Sequence, residues 1–276
     1  MNINTIEQKS QDAGQNGFSA YRSLEKALDV LELFTYSPIL TVTEISKRTG
    51  YPKSTVSGLL KTFCKYGIIE KGEDKSFRLG VKTFELGFKY LNNLELYSIA
   101  RLWAEKLAKE ENEAIHVAIR RGTDIYIIID VQPPSTYMAI LQTGMSIPAH
   151  STALGKVLLA HLDEDELSLF LQKPLQRLTE HTITSPERLR SELLKIKTDG
   201  YAVDNEESIK GLVCISAPIF QRNGQVIAAI SISSMNLINK EARINMLIQK
   251  VKLAANNISM DIGFQPVNAK DVNHIL

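Results

Sequence analysis

Cysteine is nearly absent: Cys64 and Cys214 are the only two in 276 residues, far apart and without metal-like spacing. Neither a disulfide framework nor a zinc site is expected, and the chain reads as a cytoplasmic protein with reduced thiols. Long hydrophobic runs are missing too. The most apolar stretch, Ile125 to Val131, is broken by Asp130 and falls far short of the roughly 20 residues that a membrane helix needs. The first 20 residues, MNINTIEQKSQDAGQNGFSA, hold no apolar segment of the kind an export signal carries. Charge of one sign is lacking: 32 Lys and Arg stand against 31 Asp and Glu, a net of +1, so the charge of the whole chain points to no particular partner. No phosphate-binding loop is present, because His150 rather than glycine stands six residues before Lys156, and Val157 takes the place of the hydroxyl residue. No metal, cofactor or membrane partner is predicted.

What is present is an ordinary globular composition, 44% hydrophobic and 23% charged, in a chain long enough for two domains. The charge is unevenly placed. Residues 21–90 hold 12 basic against 8 acidic side chains, net +4, whereas 91–276 hold 19 against 21, net −2. Residues 45–69 carry five basic residues and no acid, a local excess suited to an anionic partner.

The polar first 20 residues, rich in Gln, Asn and Ser, read as a disordered head. From Tyr21 to Phe34, the residues Leu24, Ala27, Leu28, Leu31 and Phe34 recur at helical spacing and predict an amphipathic helix that stops before Ser37-Pro38. In LTVTEISKRTG, Thr41 and Glu44 are spaced as a capping box, Leu40 and Ile45 as a hydrophobic staple, and Gly50 supplies the C-terminal stop. YPKSTVSGLLKTF predicts a further helix, with Pro52 in its first turn and Val56, Leu59, Leu60 and Phe63 facing inward. GIIEKGEDKSFRLG alternates apolar and polar residues around Gly72-Glu73-Asp74, as two hairpin strands do. Three helices and a hairpin make a winged helix-turn-helix.

Such a motif buries one face of its last helix on the first two and offers the other to the major groove of DNA. That outward face is small, hydroxylated and basic. Lys53, Ser54, Thr55, Ser57, Gly58 and Lys61, with Thr43 from the preceding helix, are therefore the candidate contacts to double-stranded DNA. An alternative stays open: a ligand sensor that keeps the fold but acts through protein contacts. Glycine inside a helix costs about 0.5–1 kcal/mol relative to alanine, so at Gly58 either close backbone approach to DNA offsets that cost or this contact is absent.

LTVTEISKRTGYPKSTVSGLLKTFCKYGIIEK, followed by FRLG and KTFELG, resembles the DNA-binding half of the IclR family of bacterial transcriptional regulators. GMSIPAHSTALGKVLLAHL, TITSPERL and GYAVDNEESIKGLVCISAPIF resemble, in that order, its effector-binding half. The likeness runs from about Tyr21 to Gly263. It implies a regulator, by preference a repressor, that binds a palindromic operator as a homodimer or a dimer-of-dimers tetramer and responds to a small carboxylate such as a sugar acid or 2-oxo acid. STALGKVLLA with TITS and DNEE is most similar to regulators of sugar-acid breakdown that respond to keto-deoxy-gluconate-type ligands. One departure is Gly58, where family recognition helices usually carry Arg or another large side chain, so the family's usual operator is not carried over.

Val81 to Leu96 reads as a helix between the halves, for which the resemblance implies dimer contacts through residues such as Phe84, Leu86, Phe88 and Leu91. Beyond it, AIHVAIR and IYIIIDVQ read as paired strands, and residues 209–233 as a hairpin turning at Asn223-Gly224. Helices are predicted for Ser151 to Leu162, Asp163 to Leu171, Pro186 to Asp199 after a Ser185 cap, and Lys240 to Met260. The expected fold class is α+β, an N-terminal winged helix-turn-helix joined by a linker helix to an effector-binding domain that the resemblance makes GAF-like. The expected divisions are a head at 1–20, the winged domain at 21–81, the linker helix at 82–97, the effector domain at 98–265 and a tail at 266–276.

In AHSTALGKVLLAHL, Ser151 or Thr152 can cap a helix whose first turn offers the unpaired N–H groups of Ala153 and Leu154 to a carboxylate. The resemblance adds Asp204 as acceptor for ligand hydroxyls and Cys214 on a strand wall. Met138, Ile140 and Leu212 are candidates for sizing the pocket. Bland roles compete: Asp204 as a turn residue, Cys214 as a small buried hydrophobe, His116 and His150 as structural histidines. Cys214, His150 and Asp204 are also the residue types of a thiol nucleophile with its base and orienter. No nucleophile signature surrounds Cys214, so no catalytic residue and no enzyme activity are predicted.

Overall fold

The computed structural model describes residues 21–133, 141–235, 237 and 240–265. The head 1–20, the tail 266–276 and the pocket candidates Met138 and Ile140 lie outside the described residues. The chain divides into two compact units that part between Leu91 and Asn92, each with its own hydrophobic core.

The first unit runs α1 (Arg22–Tyr36), α2 (Val42–Thr49), α3 (Lys53–Lys65), β1 (Ile69–Lys71) and β2 (Phe77–Leu79). Its local signals act as their chemistry requires. Thr41 Oγ1 accepts from the Glu44 N–H while Glu44 Oε2 accepts from the Thr41 N–H at 2.7 Å, which closes the capping box at the head of α2. Gly50 ends that helix in the left-handed region at φ 72°, a conformation glycine takes without a Cβ penalty. Leu40 and Ile45 are both buried in the core with Val56, Leu60 and Ile69. Pro52 stands one place earlier than predicted, as the N-cap residue of α3 rather than in its first turn. Leu40 also exchanges backbone hydrogen bonds with Phe77 in both directions, at 2.8 and 3.0 Å, which fastens the β1–β2 hairpin to the helices. Tyr51 Oη donates to Asp29 Oδ2 at 2.5 Å and so ties the α2–α3 turn to α1; burial, then the bond to Asp29, pushes the phenol up to about 12.

The face of α1 is corrected. Of the predicted stripe, Phe34 is buried and Leu31 packs against the core beside Val30 and Leu33, whereas Leu24 and Leu28 are exposed. The buried residues of the helix all lie in its C-terminal half, so the periodic stripe is longer than the surface that covers it.

The run expected as one linker helix is two. α4 spans Val81–Asn92 and α5 spans Glu95–Glu111, with Leu94 extended between them. Asn92 and Asn93 mark the break, and Asn competes with the helix by bonding nearby backbone groups. α4 has no buried residue, and Phe84 and Phe88 stack on its exposed surface.

The second unit continues with β3 (Ala114–Arg121), β4 (Asp124–Val131), β5 (Ser146–Pro148), a 3-10 turn (Ala149–Ser151), α6 (Ala153–Ala160), α7 (Glu164–Leu171), α8 (Pro186–Asp199), β6 (Ala202–Asn205), β7 (Val213–Phe220), β8 (Val226–Ser234) and α9 (Glu241–Asp261). Six strands form one antiparallel sheet in the order β5-β4-β3-β8-β7-β6. α5 and α9 pack together against β3, β7 and β8, and α6 packs on the other face with α8 against it. Caps at Thr152, Asp163 and Ser185 start α6, α7 and α8. Among the described residues, no helix is long and apolar enough to cross a membrane.

Candidate functional site

In the first unit, Lys53, Ser54, Ser57, Gly58 and Lys61 are exposed on one side of α3, and Val56 and Leu60 are buried on the other. Thr43 is exposed near the start of α2, and Thr55 is half-buried at the edge of the stripe. The exposed residues follow a 3–4 spacing, so they share one face. Apart from its chain neighbours and the backbone of its own helix, no atom of the described residues lies within 4 Å of the point where a Cβ on Gly58 would sit, so packing does not require glycine there. Gly58→Ala is expected to raise the stability of this unit by about 0.5–1 kcal/mol, read as a higher denaturant midpoint.

In the second unit, β6 and the turn that follows it face the start of α6 across a small cavity. Ile125, Leu141, Ile147, Thr152, Ala153, Leu154, Asp204, Ser208, Cys214 and Ser231 line it, and its free volume is about 10 Å3, room for about one water. Thr152, not Ser151, caps α6: its Oγ1 accepts from the Gly155 N–H at 2.9 Å. Ser151 instead donates to the Pro148 carbonyl and is absent from the lining. Among the described residues, the N–H groups of Ala153 and Leu154 have no protein acceptor, as the first turn of a helix dictates.

Asp204 is fully buried and does two things at once. Its Oδ1 accepts from the N–H groups of Glu207 (2.7 Å) and Ser208 (3.3 Å), and its Oδ2 accepts from Ser208 Oγ at 2.5 Å, so it holds its own turn while facing the cavity. Burial pushes its carboxyl up to about 6, against the pull of those bonds. Cys214, opposite Asp204 in the β6–β7 register, is buried, and burial first, then the nearby Asp204 charge, pushes its thiol up. A thiol held neutral is no nucleophile. Leu212 is buried in the surrounding core and does not line the cavity. His150 hydrogen-bonds through Nε2 with the Gln176 carbonyl, and His116 bonds through Nδ1 with Ser233 Oγ.

Two features escaped the sequence reading. Ser231 Oγ is fully buried, lines the cavity and has no hydrogen-bond partner among the described residues. Lys156, only 1% exposed in the first turns of α6, donates to the Val203 carbonyl at 2.7 Å and to Glu207 Oε1 at 2.5 Å, with Glu192 at 3.8 Å. Thr182 of TITS donates to the Glu207 carbonyl and Thr179 to the Glu206 carbonyl. GKVLLA, TITS and DNEE thus meet around one buried ion pair. The available signal was a lysine inside an otherwise apolar helix, which must find an anion when buried.

Residues 23–73 match the IclR helix-turn-helix domain, and residues 88–260 match the bacterial transcriptional regulator IclR C-terminal domain. The chain belongs to the IclR family. Within it, the HTH-type transcriptional regulator KdgR of Escherichia coli is 35% identical over 244 residues, 88% of this chain and 93% of KdgR. The HTH-type transcriptional repressor AllR of the same organism is 30% identical over 262 residues, 94% of this chain and 93% of AllR. The crystal structure of an IclR homolog from Microbacterium hydrocarbonoxydans complexed with 4-hydroxybenzoate superposes with a TM-score of 0.78 at 26% identity, covering 87% of this chain and 98% of the other. This IclR-family chain is accordingly a DNA-binding transcriptional regulator.

Proposed function

We propose that the chain represses transcription from a palindromic operator with α3 in the major groove, and that a small carboxylate metabolite bound at the α6 cavity changes that binding. The observation that carries the effector half is that one buried cavity is lined by Ala153 and Leu154 at the start of α6, by Asp204, and by Ser231, whose hydroxyl has no partner among the described residues. Amide N–H groups at a helix start suit a carboxylate, and Ser231 and Asp204 suit its further oxygens. KdgR and AllR support the regulatory reading, and the 4-hydroxybenzoate complex supports a carboxylate as ligand.

The cavity's size supplies the switch. A ligand larger than a water needs a wider lining, so it favours whichever arrangement of the domain provides one, and useful control takes only about 1–3 kcal/mol of such preference. The apolar α4 surface, with Val81, Phe84, Leu86, Phe88 and Tyr90 all exposed, supports a homo-oligomer in which two heads meet a two-fold operator.

The docking face is tested by salt titration. Lys53→Ala and Lys61→Ala are each expected to weaken DNA binding and to flatten the slope of log affinity against log salt by about one unit. Slopes equal to the wild type would place the phosphate contacts elsewhere.

A further inference from the structure

We propose that the cavity takes up a small carboxylate together with one proton from solvent, and that the proton resides on Asp204. The inference rests on the cavity being the effector site.

It follows from a count of buried charge. From α6, Lys156 faces the turn that carries Asp204, and its ammonium is engaged by Glu207 and the Val203 carbonyl. From that turn comes Glu207, buried, its Oε2 without a hydrogen-bond partner among the described residues. From α8, Glu192 approaches Lys156 and not Asp204. β7 offers Cys214, held as a neutral thiol. β8 offers Ser231, and β4 and β5 offer Ile125 and Ile147; none of these titrates. His116 Nε2 lies 3.5 Å from Asp130 Oδ1 across β3 and β4, with no hydrogen-bond partner among the described residues, and its Nδ1 is bonded to Ser233 Oγ. One cation therefore already stands against two buried carboxylates.

A ligand carboxylate at the Ala153 and Leu154 N–H groups brings a third anion beside Asp204 and Glu207, into a buried cavity that must widen to admit it. Two carboxylates sharing a dry site do not both stay ionised. The ligand's charge is held by the helix start and its dipole, whereas burial already disfavours charge on Asp204. The proton goes to Asp204, whose new O–H donates to the ligand or to Ser208 Oγ.

The test is calorimetric titration of the full-length protein with pyruvate and with glycolate at pH 6 and pH 8, at constant ionic strength. With Asp204 titrating near 6 when free, obligatory uptake of one proton weakens apparent affinity about 50-fold between the two pH values. Heats measured at pH 8 in two buffers of different ionisation enthalpy should report close to one proton taken up per site. Asp204→Asn keeps an acceptor for the Glu207 and Ser208 N–H groups and carries no charge. Its affinity, whatever its level, should be the same at pH 6 and pH 8 with no proton taken up, and its melting temperature at pH 8 should not fall below the wild type's. A wild-type affinity equal at pH 6 and pH 8, without proton uptake, overturns the proposal and leaves the carboxylate site standing. No binding of either acid by wild type or variant at either pH overturns both.

Discussion

Lys156→Met is expected to lower the stability of the second unit by about 3–5 kcal/mol, because it strands Glu207 as an unpaired buried charge. Lys156 is 1% exposed and Glu207 9% by side chain, so solvent screens neither. Methionine nearly matches the volume of lysine, and the loss comes from the missing ammonium rather than from a hole. The double variant Lys156→Met with Glu207→Gln should recover most of that loss, since both charges then go together and the glutamine keeps the shape. Urea unfolding of the two single variants and the double separates the readings. Single and double variants of equal stability would mean that the pair is not coupled. Because the pair ties α6 to the Asp204 turn, the double variant should fold yet bind carboxylates more weakly than the wild type.

Gly155→Ala is the second large effect. A Cβ at Gly155 would stand 2.1 Å from the Ala149 carbonyl oxygen and 2.4 Å from its Cα, and both are backbone atoms that cannot step aside as a flexible side chain does. The start of α6 must lift from the 3-10 turn beneath it, at a cost of about 1–3 kcal/mol by the usual scale of overpacking. Ala153 and Leu154 move with it. Carboxylate affinity should fall at least as far as stability does, measured by calorimetry beside a thermal melt. Gly58→Ala gives the contrast: the same substitution, also inside a helix, with an opposite sign because nothing surrounds the new methyl.

How far the sequence could be read depended on the range of the interaction. The Thr41–Glu44 box, the Gly50 stop and the Ser185-Pro186 start of α8 are contained within a few residues, and each is where its spacing put it. Leu24 and Leu28 show the limit of periodicity: a stripe marks what can be buried, while its length of contact depends on what lies opposite. Likewise Val81 to Leu96 has one continuous apolar pattern, but two asparagines and an extended Leu94 break it.

At the cavity, the resemblance placed Asp204 and Cys214 beside the helix start of Ala153 and Leu154, and the fold brings those four residues to one lining. Asp204 is also the turn residue that the bland alternative described, because its carboxylate is what orders the turn. Ser231 was invisible in sequence, as its role depends on cross-strand neighbours: it stands opposite His116 on one side and Ser216 on the other, and its hydroxyl bonds to neither. The Lys156–Glu207 pair joins residues 51 positions apart, and no local pattern announces a partner at that distance.

The central claim, a DNA-binding head answerable to a carboxylate, is tested most directly by a mobility-shift titration. Purified protein would be titrated against its own upstream DNA at fixed salt, with and without a panel of sugar acids and 2-oxo acids. The account predicts a specific complex whose midpoint moves by about 5–150-fold with at least one acid, the range that a coupling of 1–3 kcal/mol gives. A specific complex that no acid in the panel moves, even an acid that calorimetry shows to be bound, would contradict it.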